Sequence, residues 1–276
     1  MNDKKNFFAL LEPKSAMVIG VLAGVMTLCT IGFAVFGCLA LSGKMSFQAK
    51  AQANAVLNSK NTQNALVAEV VKSARPKAEL FIMSYCPYGL QMEKAFLPVM
   101  ELLKGKADME IKFVSYAMHD MKEIEENTRQ YCVETEQNDK FISYMNCFVG
   151  KGDYKTCLSE AGVDTGKLNS CVNQTNKKFG ILEKYNDKST WLSGNYPIYP
   201  VHEEENNAYG VQGSPTLVIN GAQVEANRSP EAVKQAVCAA FDNPPSECQQ
   251  KLSEQSSSAG FGYGTGADTT GVECGS

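Results

Sequence analysis

Hydrophobic and polar positions follow distinct regimes along the chain. From Ala16 to Leu41 no residue is charged, and most are Val, Ile, Leu, Met, Phe, Ala or Gly. A helix of that length would run roughly 39 Å, more than the ~30 Å hydrocarbon core of a bilayer. Cleavable signal peptides have shorter apolar stretches, about 7–15 residues. The pattern therefore predicts one uncleaved transmembrane signal anchor over residues 16–42, preceded by a short cytoplasmic segment, 1–15. Residues 43–76, rich in Ala, Asn, Gln, Ser and Lys, read as a stalk. Residues 77–250 carry the periodic patterns of a folded domain. Residues 251–276 are dense in Gly and Ser with few apolar positions, so they read as a flexible tail that buries too little surface to offset its ordering entropy.

Inside the domain the period alternates. Ala78 to Ser84 is a short apolar run, the mark of a buried strand. Leu90 to Lys104 has apolar residues at helical spacing, with Pro98 as a kink. Met109 to Met118 reads as a second strand, and Lys122 to Lys188 is mostly helical in pattern. Thr216 to Ile219 is a third strand, Asn220-Gly221 a hairpin turn, and a fourth strand begins at Gln223. Ser229 caps a last helix that has Pro230 at its first position and runs to about Phe241. Strand, helix, strand, a helical block, then hairpin and helix predict an α/β sheet with a helical insertion at about residues 120–200.

Composition narrows the setting. The net charge is −4 and no run of Lys or Arg exceeds two, which argues against nucleic acid as a partner, since phosphate binding needs a concentrated basic face. Three lysines precede the apolar span (Lys4, Lys5, Lys14) and three follow it (Lys44, Lys50, Lys60), so charge does not orient it. The cysteines do. Cys29 and Cys38 lie within the span, and the other eight of the ten follow it. That places the folded domain on an oxidising, extracytoplasmic side of the membrane, in a single-pass protein. With no Cys-x-x-Cys pair and two histidines, no metal is expected, and no cofactor.

Chemistry centres on Cys86-Pro87-Tyr88-Gly89, which ends a strand and opens a helix. A thiol there meets the positive end of the helix dipole and unpaired backbone N–H groups, both of which favour the thiolate that attacks disulfides. About 130 residues later, Gly213-Ser214-Pro215-Thr216 directly precedes another apolar strand.

These two stretches, extended to Phe81–Gly89 and Tyr209–Thr216, resemble the DsbA-type branch of the thioredoxin superfamily over residues 77 to about 242. The resemblance implies a thioredoxin-like fold with Pro215 as a cis-proline facing Cys86. Pro87, Tyr88, Ser214 and Pro215 would meet an extended client peptide. The implied activity is extracytoplasmic thiol–disulfide exchange or isomerisation on thiols and disulfides of exported proteins, with a membrane redox partner as a further candidate. The spacing of Cys132, Cys147, Cys157 and Cys171 resembles, more weakly, that of the interferon-inducible lysosomal thiol reductase group. One departure matters: the usual second motif cysteine is Gly89. Cys86 cannot be released from a mixed disulfide by a local neighbour, which leaves a non-catalytic binding module or chaperone as the alternative function.

The remaining cysteines offer a resolution. Cys132 and Cys171 enclose Cys147 and Cys157, as a doubly stapled helical hairpin would, although four cysteines allow three pairings. Cys238 and Cys248 could close a short loop around Asp242-Asn243-Pro244-Pro245. Cys86 and Cys274 are then left over, which makes Cys274 a candidate resolving thiol. His119, at the end of the second strand, is a candidate neighbour of Cys86, weighed against an ordinary surface histidine. His202 reads as a solvated helix start. Trp191, Tyr196 and Tyr199 read as core packing of the insertion, with a peptide groove as the other use.

Overall fold

The computed structural model describes residues 70–265. The strands are β1 (Lys77–Ile82), β2 (Asp108–Phe113), β3 (Thr216–Ile219) and β4 (Ala222–Gln223). They form one sheet in the order β2-β1-β3-β4; β1 runs parallel to β2 and antiparallel to β3, and β3 antiparallel to β4. Helix α1 (Pro87–Leu102) makes the crossover between the two parallel strands, and α8 (Pro230–Ala239) packs against it. The insertion holds α2 (Asp120–Glu136), α3 (Asn138–Lys151), α4 (Tyr154–Glu160), α5 (Thr165–Phe179), α6 (Ile181–Asn186) and α7 (Glu203–Tyr209). It therefore extends beyond residue 200. This is the thioredoxin-like arrangement with a helical block between β2 and β3.

Strand periodicity divides the core in two, since successive side chains point to opposite faces. Ala78, Leu80 and Ile82 join the large core shared with the helices. Phe81 and Met83 face the other side, in a smaller cluster with Cys86, Val114 and Val218. Side-chain oxygens anchor several helix starts: Asp153 caps α4, Asp164 caps α5 and Ser229 caps α8, each accepting from backbone N–H groups of the first turn.

Three disulfides tie the domain: Cys132–Cys171, Cys147–Cys157 and Cys238–Cys248. Of the three pairings open to the four insertion cysteines, the nested one is formed. It joins α2 to α5, and α3 to α4.

The second strand is shorter than its apolar pattern. After Phe113 the chain leaves the sheet and pairs with the segment that follows Trp191: Tyr199 N donates to Ser115 O at 2.8 Å and Ala117 N to Pro197 O at 3.0 Å. The outer edge of β2 is covered by side chains. Ile111 N donates to Glu134 Oε1 (3.4 Å), Phe113 N to His202 Nδ1 (3.1 Å) and Ser115 N to Asn206 Oδ1 (3.2 Å). Such capping satisfies donors that would otherwise invite another strand. His202 is thus buried and stacked on Phe113, not the solvated helix start its acidic neighbours suggest.

Both ends of the domain differ from the composition-based expectation. Residues 70–76 belong to it: Val70 packs on the core, Ser73 N donates to Ala240 O (2.9 Å) and Asp242 N to Ser73 O (2.9 Å). At the other end, the flexible tail expected from residue 251 is instead laid down on the domain as far as residue 265. Glu231 on α8 accepts from Leu252 N at 2.8 Å and donates its own N–H to Ser253 O at 3.0 Å. The ammonium of Lys94 donates to three carbonyls, Ser258 O (2.7 Å), Gly260 O (2.8 Å) and Gly262 O (2.6 Å). Composition undervalued the segment because much of its order comes from backbone groups, three of whose carbonyls are collected by one buried cation. Among the described residues no helix is long and apolar enough to cross a membrane. The anchor expected over 16–42 and the thiol of Cys274 lie outside the described residues.

Candidate active site

Cys86 is the N-cap of α1, with Pro87 at the first helical position. β1 runs straight into this turn, where Cys86 N donates to Met83 O at 2.9 Å and Leu90 N to Cys86 O at 2.8 Å. The thiol is 3% exposed and points across the sheet at Ser214, whose carbonyl lies 3.6 Å from Sγ. The Ser214–Pro215 peptide is cis. The strand–turn–helix of Cys86 and the cis-proline turn before β3 therefore meet, although 128 residues separate the paired atoms. β1 and β3 are neighbours in the sheet, so the turn before β3 faces the end of β1.

Gly89 explains why the second motif position holds no larger residue. A Cβ at position 89 would stand 2.7 Å from Ser214 Oγ, 3.1 Å from Met83 O and 3.3 Å from Cys86 Cβ. Ser214 Oγ is itself held, accepting from Met83 N at 3.0 Å.

The other candidates sort by contact. Pro87 is buried and its carbonyl accepts from Gly260 N at 2.9 Å. Tyr88 is 38% exposed, beneath the guanidinium of Arg228 at 4.9 Å from its ring centroid. Pro215 borders a small cavity of about 80 Å³ with Met92, Thr216 and Arg228. The imidazole Nδ1 of His119 lies 2.6 Å from Glu123 Oε2. Glu123 is fully buried and also accepts from Met118 N (2.8 Å) and Tyr85 N (3.3 Å). This carboxylate thus ties the start of α2 to the residue just before Cys86. Tyr199 is buried in the core, its hydroxyl 3.2 Å from Thr128 Oγ1. Trp191 packs on Tyr185, and both, with Tyr196 and Met118, line a cavity of about 460 Å³.

Three features escaped the sequence pattern. Tyr116 packs against the cluster that contains Cys86 and donates its hydroxyl to Gln212 O at 2.9 Å. Burial first, then Tyr196 and Cys86, push its phenol up. A second feature is Glu93, wholly buried on α1 with neither carboxylate oxygen hydrogen-bonded among the described residues. Burial first and then Glu126 raise it well above the usual carboxylate range. Its period along α1 looks like that of any polar helix residue. The third is the C-terminal strap. Phe261 stands edge-on to Tyr85 and to Phe148, with ring centroids 5.9 and 5.4 Å away. It lies over Gly152, where a Cβ would meet its ring at 3.1 Å and where φ is +69°, so glycine is needed there both for the backbone and for the space. The strap touches both chain neighbours of Cys86: Tyr85 through Phe261, and Pro87 through Gly260. Among the described residues there is no cluster of three or more His, Cys, Asp or Glu arranged to hold a metal.

No family model and no curated protein matches the chain. Solved structures do. Reduced DsbA from Mycobacterium tuberculosis is 18% identical over 66% of this chain and 92% of that one, with a TM-score of 0.43. The disulfide bond oxidoreductase DsbG from the same organism is 17% identical over 66% and 88%, TM-score 0.44. BdbD from Bacillus subtilis is 15% identical over 61% and 90%, TM-score 0.39. The chain is thus similar to solved DsbA- and DsbG-type proteins, of which the second is described as a disulfide bond oxidoreductase.

Proposed function

We propose that this protein is a thiol–disulfide exchange enzyme, an oxidoreductase or isomerase that works on exported proteins through Cys86. The observation that carries the reading is the placement of Cys86 Sγ, at the N-terminus of α1 and 3.6 Å from the carbonyl that precedes cis-Pro215. A client segment laid along the Gly213–Pro215 backbone in extended form would bring its sulfur to that thiol.

The exchange balances without a cofactor. The Cys86 thiolate attacks one sulfur of a client disulfide; a mixed disulfide forms and the other client sulfur leaves as thiolate. Attack by the departed client thiolate on the client sulfur merely reverses this step; if another client thiolate attacks it instead, a new client disulfide forms and the Cys86 thiolate returns. No net electrons move, which is isomerisation. If an outside thiol attacks instead, the client is released and the outside thiol carries the new bond. Cys274 is our candidate for such a thiol within the chain. Its attack on Cys86 Sγ would free the client sulfur as thiolate and leave a Cys86–Cys274 disulfide for an external dithiol to reduce. We place the domain outside the cytoplasm on an anchor at residues 16–42, supported by the apolar run and the three disulfides.

Gly89 favours a second reading, in which Cys86 holds clients as lasting mixed disulfides. Insulin reduction and reactivation of scrambled ribonuclease, measured for wild type and Cys86→Ser, separate the two. Activity lost in Cys86→Ser supports exchange. Activity equal in both defeats it, and stable client adducts without turnover favour the holding role.

A further inference from the structure

We infer that the Ser214 hydroxyl occupies the seat of a second active-site thiol and so makes this a monothiol site by construction. The inference rests on the Cys86-centred reading above, but its evidence and its test are independent of turnover.

The geometry is specific. The Cβ of a residue at 89 would fall 3.3 Å from Cys86 Cβ. Disulfides have Cβ–Cβ separations of roughly 3.5–4.5 Å, so position 89 is close to the right distance for a partner sulfur. The tightest obstacle is Ser214 Oγ, 2.7 Å from the same Cβ, ahead of the Met83 carbonyl oxygen at 3.1 Å. Real Cβ atoms essentially never show such an approach, and something must give. The hydroxyl is not idle there, because it accepts from Met83 N at 3.0 Å. Turning it away would strand that donor in the turn that presents Cys86. Glycine at 89 and serine before cis-Pro215 are therefore one choice made at two positions far apart in the chain.

The chemical consequence concerns how the mixed disulfide ends. In a dithiol site the second thiolate attacks the first sulfur, the two close into an internal disulfide, and the client sulfur leaves as thiolate. Here that attack has no atom to come from at position 89. The lifetime of a client adduct is then governed by a thiol that arrives from elsewhere, either in the client or in a separate thiol. Ser214 sets this behaviour without reacting itself.

A substitution cycle in the full chain tests the inference. Thermal midpoints are measured for wild type, Gly89→Ala, Ser214→Ala and the double variant. Separately, Gly89→Cys and Gly89→Cys/Ser214→Ala are equilibrated in a glutathione buffer, and the tryptic peptide that spans Ala78 to Lys94 is weighed. An internal disulfide makes that peptide lighter by its two thiol hydrogens. Gly89→Ala should lower the midpoint when Ser214 is present and lower it less, or raise it, when it is combined with Ser214→Ala. The bond between Cys86 and the thiol introduced by Gly89→Cys should form about tenfold more readily once the hydroxyl is gone, the ratio expected for one sacrificed hydrogen bond. Equal costs of Gly89→Ala with and without Ser214→Ala would overturn the inference. So would a disulfide that closes equally well beside Ser214, or one that closes in neither variant, since the hydroxyl would then not be the obstacle.

Discussion

Phe261 lies edge-on against Tyr85, the residue that precedes the Cys86 thiol, with ring centroids 5.9 Å apart. A segment that follows the last helix thereby forms part of the frame around Cys86. Lys94, buried at 3% exposure, gathers three of the strap's carbonyls, beside the backbone bonds that Gly260 and Gly262 donate to Pro87 and Val149.

Replacing Lys94 with Met should release the strap. Three carbonyls would lose a charged donor, and hydrogen bonds to charged groups contribute about 1.5–3 kcal/mol each before compensation by water. Water reaches the freed carbonyls, so the expected net loss is about 2–4 kcal/mol. Chymotrypsin should cut at Phe261 or Tyr263 much faster than in wild type. An unchanged cleavage rate would show that the strap's aromatic contacts and its other hydrogen bonds hold it without the ammonium.

Glu123 should position the nucleophile loop. Its buried carboxylate accepts from Tyr85 N, Met118 N and the His119 ring. Glu123→Ala strands three backbone donors, of Tyr85, Met118 and His119, at about 1–3 kcal/mol for each that stays unsatisfied. Exchange by Cys86 should slow more than His119→Ala slows it, because His119 only braces the carboxylate from outside. Should His119→Ala prove the more damaging of the two in insulin reduction, the imidazole acts on Cys86 in its own right.

The edge of β2 should make stability depend on pH from both sides. Burial first, and then Lys112, hold His202 down to about 3, below its ordinary value of about 6.5. Its contribution is complete above that ordinary value and is lost as pH falls toward 3. Glu134 runs the other way. Burial raises its carboxyl to about 8, so its contribution is complete below the ordinary carboxylate value and is lost as pH rises through about 8. Urea unfolding should show stability declining above about pH 6.5, where Glu134 and the likewise raised Glu93 both still titrate, Glu134 contributing a slope no steeper than about 1.4 kcal/mol per pH unit for its one proton. Glu134→Gln should flatten that alkaline limb, and an unaltered limb would assign it to another group.

Opening the Cys132–Cys171 bond should cost more than opening Cys147–Cys157. The first spans 39 residues and the second 10, and loop-closure entropy gives about 4 against about 2.7 kcal/mol. Paired Cys→Ala variants compared in urea provide the measurement. A larger loss for the short loop would mean that packing around Cys157, wholly buried, outweighs chain entropy.

Local pattern alone determined the order of the sheet elements. Ala78–Ser84 and Thr216–Ile219 read as strands because buried strands are short apolar runs. Ser229-Pro230 marked the last helix because a capping hydroxyl and a fixed φ are local properties. The candidate nucleophile, Cys86, was legible for the same reason, since a cysteine at a strand–helix junction needs no distant residue to be noticed. Tertiary structure decided what distance decides. Nothing near Gly89 in the chain says that Ser214 Oγ stands where its side chain would go; only the antiparallel pairing of β1 with β3 brings them together. His202 looks solvated beside three glutamates, yet the unpaired N–H of Phe113 on an edge strand draws it inside. The tail looked disordered because composition counts apolar side chains, whereas its order rests on carbonyls that every residue carries and on one buried ammonium, Lys94, supplied by a helix more than 160 residues earlier.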